Sequence, residues 1–551
     1  MNLTLVVFLP LVGAIVLALA GLFSHGVADR AMRDNALKAG ALIVSLVTFV
    51  LSLAYIGASP DPVYRAWIPS IGSVFHLRMD GISVWLFILT TFLTPICVLA
   101  SWRNTRSVPA GVMSAYGDDG GVSGERGVAG FMVALLTLET AMLGTFVAYD
   151  LVLFFVFWEM MLIPMYLLIG IWGSPGTRST FLFGRVSERV YATMKFVLYT
   201  MAGSALMLVG ILYLRAETGS FDLTLVTAHA AEGFDRRAQY WLFWAFFVAF
   251  AIKVPLFPFH TWLPDAHTQA PTAGSIILAG VMLKMGAYGI IRFCLPLFPD
   301  AALFYAPFVS VLAVVGIIYG ALVAMVQPDM KRLVAYSSVS HLGFIVLGLF
   351  SGTNAGVQGA VIQMVSHGIS TGALFMLVGM LYDRRHTRQI SDFGGIAKRM
   401  PAYAAVFVIV TFSSIGLPGT NGFVGEFLIL LGTFATEGRA VYAVFAALGV
   451  ILAAVYMLWM VQRVFFGPIR HSANEDLTDL TLRELAVAAP LVVVVFLIGV
   501  FPKYFLDRMD ADHAVSDLRK AGSAKEIVRV SPQEGGSGHG SIEVHAPAGG
   551  H

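Results

Sequence analysis

Residues 245–267 read AFFVAFAIKVPLFPFHTWLPDAH, and two features of that stretch decide the fold. It is apolar and, with its flanks, long enough to cross a bilayer, which takes about 20 such residues. Yet Lys253 is followed by Pro255 and Pro258, and each proline removes a helix hydrogen bond and clashes with the preceding turn. Backbone freed at membrane depth is tolerated only where protein buries it or a wet cavity runs beside it. A mid-bilayer lysine adds a cost of about 2.5–3.5 kcal/mol even on lenient insertion scales. The stretch therefore predicts a broken membrane helix with an ionisable group at the break.

The rest of the chain shares that environment. Of 551 residues, 58% are hydrophobic and 12% charged, about half the charge of a soluble domain. The expectation is an all-α polytopic membrane protein. Apolar runs at residues 3–22, 36–57, 82–101, 128–148, 151–171, 191–214, 240–259, 270–293, 302–326, 334–352, 356–382, 402–430, 441–461 and 485–506 give 14 spans. The first has no basic residues before it and reads as a retained span, not a cleaved leader. A net charge of +2 points to neither nucleic acid nor a strongly acidic partner. Cys97 and Cys294 are single residues in apolar runs, which suits small core side chains. No metal site is expected, and no HExxH, P-loop or dinucleotide fingerprint occurs in context.

Basic residues in short loops set the orientation. Loops after odd-numbered spans carry 19 Lys and Arg, and loops after even-numbered spans carry 7. The odd-loop face is expected to be cytoplasmic, with both termini on the outer side of a bacterial inner membrane. Residues 507–551 turn polar and rich in Gly, Ser and His, which reads as a disordered tail. Its His539, His545 and His551 read as solvated linker.

A second break lies at residues 413–427, SSIGLPGTNGFVGEF, where Pro418 and Gly419 interrupt the twelfth span before Glu426. Paired broken helices in corresponding halves point to a transport site. The breaks are five spans apart, and a unit with an odd number of spans repeats with inverted topology. The expected organisation is spans 1–3 in residues 1–127, one five-helix repeat in 128–293, its inverted partner in 302–466, and a connecting loop with span 14 in 467–506.

With Lys38 and Arg292, at the ends of their runs, counted with the loops, and Lys503 with the tail, this segmentation leaves three of the 35 Lys and Arg inside apolar runs: Lys195, Lys253 and Lys284. Three carboxylates join them: Glu139, Glu159 and Glu426. Glu159 lies nine residues past Asp150, about 13 Å along a helix, and is the expected partner of Lys253. Lys284 sits among Gly280, Gly286 and Gly289, which allow close helix approach. Buried lysine changes its charge readily, whereas arginine does not. His341 has Ser337 a turn before it, and His367 shares a helical stripe with Gln363 and Thr371. Histidine titrates near neutral pH. Glu159, Lys253, Lys284, His341, His367 and Glu426 are thus the candidate proton relay. Glu139, between Thr137 and Thr140, and Lys195, near Arg185 and Arg189, are accessory candidates, the latter expected to snorkel. His260, Asp265 and His267 are expected in a cytoplasmic loop turned at Pro264, as capping or packing residues.

The stretches FFVFWEMMLIPMYLLIGIWG, AIKVPLFPFHTWLPDAHTQAPTAGSIILAGVMLKMGAYG and GLPGTNGFVGEF together resemble the antiporter-like subunits of respiratory complex I (NADH:quinone oxidoreductase). The resemblance runs over about residues 80–505. Glu426 favours the M type, because the L and N types place a lysine there. It implies 14 spans, two inverted five-helix repeats, and proton pumping driven by redox chemistry elsewhere. The family's proton-path positions fall on the six relay candidates. It also implies no cofactor in this chain, FMN, iron–sulfur clusters and quinone on other subunits, and L- and N-type neighbours in the membrane arm. The alternatives are a subunit of a multisubunit Na⁺/H⁺ antiporter or of a membrane hydrogenase complex. The Gly-rich third loop, YGDDGGVSGERG, and the long tail depart from the family pattern.

Overall fold

A computed structural model describes residues 2–24, 29–58, 60–102, 127–180 and 184–509. The Gly-rich third loop, the tail from residue 510 and its three histidines lie outside the described residues. Among the described residues twelve helices are long and apolar enough to cross a membrane. Two further spans are each built from two pieces. The seventh is helix Arg236–Lys253 followed by helix Trp262–Gln269, and the twelfth is Pro401–Ser414 followed by Asn421–Phe434. Together they make the 14 spans read from the sequence.

Both breaks fall where the prolines and glycines put them, and both are repaired locally. Lys253 ends its helix, and the Ile252 carbonyl accepts a hydrogen bond from the Trp262 indole at 2.9 Å. In the twelfth span Gly416 and Gly419 have φ of 73° and 88°, a left-handed backbone that side chains resist. The restart is bound to span 11, where the Ser366 hydroxyl donates to the Asn421 carbonyl at 3.0 Å. The Asn421 amide donates back to the Ser366 carbonyl at 3.1 Å.

Burial sorts the spans. The eighth, Thr272–Leu297, and the eleventh, Asn354–Arg385, each have a central stretch of 18 residues wholly enclosed, whereas the first and fourteenth expose apolar stripes such as Leu5–Val12–Val16 and Val493–Leu497. Glycines set the central contact. A Cβ on Gly368 of span 11 would stand 2.7 Å from the Gly280 carbonyl oxygen of span 8, so the backbones touch there as small residues permit.

Several expectations need correction. The fifth span is divided at Met161 into Leu151–Met160 and Leu162–Trp172, because Pro164 has no N–H for the Met160 carbonyl. The eighth contains two π-helical turns, Leu278–Met282 and Ile290–Cys294, on either side of Lys284. The fold is not helical throughout: β1 (Val63–Ile68) pairs with β2 (Ser73–Leu77), and a second hairpin joins Thr177–Thr180 to Gly184–Ser187. Pro264 does not make a turn; it lies in the first turn of helix Trp262–Gln269, where proline is tolerated. Nor are three lysines the whole buried set. Lys38 and Lys331, assigned to loops, are buried within helices. Their ammonium groups donate to the Trp102 and Ala270 carbonyls at 2.8 and 2.6 Å, acceptors at the C-terminal ends of helices.

Candidate functional site

Spans 8, 10, 11 and 12 converge on one line of polar side chains. The Lys284 Nζ lies 2.6 Å from His367 Nδ1 and also donates to the Ala279 carbonyl in the π-helical turn. A widened turn of this kind often marks a functional position in a helix. The His367 and His341 ring centroids are 5.6 Å apart. His341 Nδ1 then lies 2.9 Å from Glu426 Oε1, which also accepts from the Gln363 amide at 3.2 Å. All four relay side chains here are at least 96% buried. A small cavity of about 10 Å³ touches both rings and is lined by hydroxyls of Ser366, Ser370, Ser413 and Ser414. That is the scale of room one water centre needs.

Electrostatics restricts how this line is charged. Two positive charges 2.6 Å apart would repel by about 6 kcal/mol at an effective dielectric near 20. Lys284 and His367 are therefore not both charged at this separation.

The other half of the expected relay is arranged differently. Glu159 and Lys253 form no ion pair. Glu159 Oε1 and Lys253 Nζ are both buried without hydrogen-bond partners, and the ammonium lies over the Trp158 and Phe196 rings at 5.1 and 5.7 Å. Glu159 remains within electrostatic reach of it. No hydrogen bond joins Lys253 to Lys284. His267, expected in a loop, is fully buried, has neither nitrogen bonded, and stacks on Phe375 at 4.4 Å. It lies within electrostatic reach of Lys284, Lys331 and His367. The signal for it was its place three residues after Pro264, a residue that the first turn of a helix tolerates.

The accessory candidates stand apart. Lys195 pairs with Asp265 at 2.8 Å and donates to the Thr261 carbonyl, fastening span 6 to the second half of span 7. Glu139 is fully buried with neither oxygen hydrogen-bonded, close to Thr94 and Cys97 of span 3. His260 lies against Phe257 and Tyr319. Among the described residues no group of His, Cys, Asp and Glu is arranged to hold a metal.

The family model described as NADH:quinone oxidoreductase/Mrp antiporter, TM, matches residues 148–455. NADH-quinone oxidoreductase subunit M of Rhodobacter capsulatus is 44% identical over 92% of this chain and 94% of its own length. The chain belongs to the M-subunit family of NADH-quinone oxidoreductase. NADH-ubiquinone oxidoreductase chain 4 of Marchantia polymorpha is 37% identical over 95% of this chain and 97% of its own. A chain of respiratory complex I from Thermus thermophilus superposes with a TM-score of 0.79 at 30% identity, covering 95% of this chain and all of that one. A chain of the Mrp complex from Dietzia sp. DQ12-45-1b has a TM-score of 0.74 at 22% identity, over 95% and 99%. That last likeness shows the fold alone. As an M-subunit family member the chain is a multi-span membrane protein of a respiratory complex.

Proposed function

We propose that the chain translocates protons in the membrane arm of NADH:quinone oxidoreductase, through Glu159, Lys253, Lys284, His341, His367 and Glu426. The observation that carries this reading is the buried row Lys284–His367–His341–Glu426, in contact at 2.6 and 2.9 Å at its two ends with the two rings 5.6 Å apart at its centre. Four titratable groups in contact have no structural need that apolar residues would not meet better, since buried ion pairs are a weak source of stability. The redox chemistry, with FMN, iron–sulfur clusters and quinone, belongs to other subunits.

Glu159 sets the charge on Lys253 from a distance, and the absence of a contact between them is the open arrangement of that switch. The proton leaves Lys253 for Lys284. It then crosses His367 and His341 to Glu426, passing the polar cavity between the rings. Spans 4–8 and 9–13 act as the two inverted repeats, which places one broken helix at each end of the route. Loop charge puts the odd-loop face in the cytoplasm and both termini outside the inner membrane. L- and N-type subunits flank the chain.

The test is His367→Phe in purified, intact complex. NADH:quinone turnover and proton pumping should fall together by at least tenfold. Reduction of a water-soluble artificial acceptor by NADH, which bypasses the membrane arm, should be unchanged. Normal pumping by this variant would remove the line from the route.

A further inference from the structure

We propose that Arg292 is an electrostatic seal: a permanently charged guanidinium that closes the even-loop end of span 8 to protons, so that they turn sideways from Lys284 to His367. The proposal rests on the reading of Lys284 as a relay group. Lys284, Tyr288 and Arg292 are spaced four residues apart and so share one stripe of the helix. From Lys284 that stripe leads straight towards the even-loop face, and polar atoms continue along it. The Tyr288 hydroxyl donates to the Phe146 carbonyl at 2.7 Å and accepts from Arg292 Nε at 3.1 Å. Arg292 Nη1 donates to the Tyr149 hydroxyl at 2.7 Å, which donates to Asp80 Oδ2 at 2.9 Å. Arg292 Nη2 completes the set 2.5 Å from Asp80.

Hydroxyl, hydroxyl and carboxylate in series would make a good conductor of protons to the surface. The group at its centre cannot serve. Guanidinium has donors only and does not lose its proton in proteins. It also presents positive charge towards Lys284, because the carboxylate that balances it bonds Tyr149 and Arg292 and lies beyond them. A fixed arginine of this kind excludes protons from channels by the same means. The single hydroxyl proton of Tyr288 is committed to Phe146, so the stripe has no free donor between lysine and arginine.

The experiment measures passive proton flux in liposomes holding the intact complex, without NADH. A potassium diffusion potential drives the flux and an enclosed pH dye reports it. Arg292→Gln combined with Asp80→Asn removes both charges and leaves neither buried alone. This pair should leak at least fivefold more than the unaltered complex, whereas Arg292→Lys, which keeps a cation, should stay near its level. Unaltered flux in the neutral pair overturns the seal. Adding Lys284→Ala to the pair should abolish the leak. A leak that persists there leaves the seal standing and counts against Lys284 as the relay group. If the neutral pair does not assemble, Arg292→His decides. Flanked by Asp80, Arg78, Tyr149 and Tyr288, its imidazole should seal at low pH and leak as it loses its proton. A low flux at every pH overturns the proposal.

Discussion

Lys284 and His367 meet at 2.6 Å although 83 residues separate them in the chain. The contact exists because Gly280 and Gly368 let the two most enclosed spans touch one helical turn away. On the proposed route a proton would pass between them without either side chain travelling.

Lys284→Ala in intact complex should lower pumping by tenfold or more. Lys284→Arg should assemble yet also pump poorly, because arginine holds its proton. NADH oxidation and pumping, both normalised to assembled complex, give the comparison. Full pumping by the arginine variant would make Lys284 a fixed charge.

Glu426 accepts from Gln363 and faces His341, so a carboxylate there matters more than its reach. Glu426→Asp should retain most activity and Glu426→Ala should lose it. Glu426→Lys should fall between them, supplying a titratable group of the wrong sign for His341. Pumping by the alanine variant at the unaltered rate would reduce the second broken helix to a structural element.

Gly368→Val tests the packing that creates the site. The new side chain would drive into the Gly280 carbonyl and Leu89, and overpacking of this kind costs about 1–3 kcal/mol. The amount of assembled complex and its thermal midpoint should both drop. An equally stable valine variant would show that the two spans can separate without consequence.

The hairpin face responds to acid. His76 of β2 lies 2.6 Å from Asp222, which caps helix Leu223–Glu232. Burial pushes the Asp222 carboxyl up, but the bond to His76 and the cap N–H groups reverse this and hold it below the usual carboxylate range. For Asp80, burial again raises the carboxyl, while Arg292, Ser83 and Tyr149 bring it down to about 2. Lowered values stabilise the fold above the unfolded carboxylate pKa, near 4, and that stability is lost as pH falls through the folded value. Protection factors in β1 and β2, which divide out the intrinsic pH dependence of amide exchange, should therefore fall as pH drops from about 4 to 2. His76→Ala should move the onset upward. An unchanged onset would mean that the pair does not hold the hairpin.

The breaks were legible because their causes are local: Pro255, Pro258, Pro418 and Gly419 act on the backbone beside them. Burial of charge was legible for Lys253, Lys284 and Glu426 because apolar runs surround each on both sides. Lys331 escaped because it opens a helix, and Lys38 because the polar first turns of its helix read as loop; in neither place can sequence distinguish an ammonium in water from one capping a neighbouring helix. The Lys284–His367 contact was out of reach for a different reason. A stripe of polar residues says that a face is used, but its partner depends on which spans approach, and that is decided by glycine pairs distant in sequence. The π-helical turns left no compositional trace. The first hairpin did leave one, in VYRAWIPSIGSVFHL, where Gly72 takes φ 78° at the reversal.

Each histidine in the line directs one nitrogen to its charged partner, His367 Nδ1 to Lys284 and His341 Nδ1 to Glu426. An imidazole that accepts a proton on one nitrogen and gives it up from the other ends in the opposite tautomer. The ring then presents an N–H where it earlier presented a lone pair, and a second proton arriving from the same side finds no acceptor. Two such rings in series behave as a ratchet with memory. On the proposed route each stroke would disarm them until the tautomers are restored, so the line would deliver protons one at a time and would not run freely as a leak between strokes.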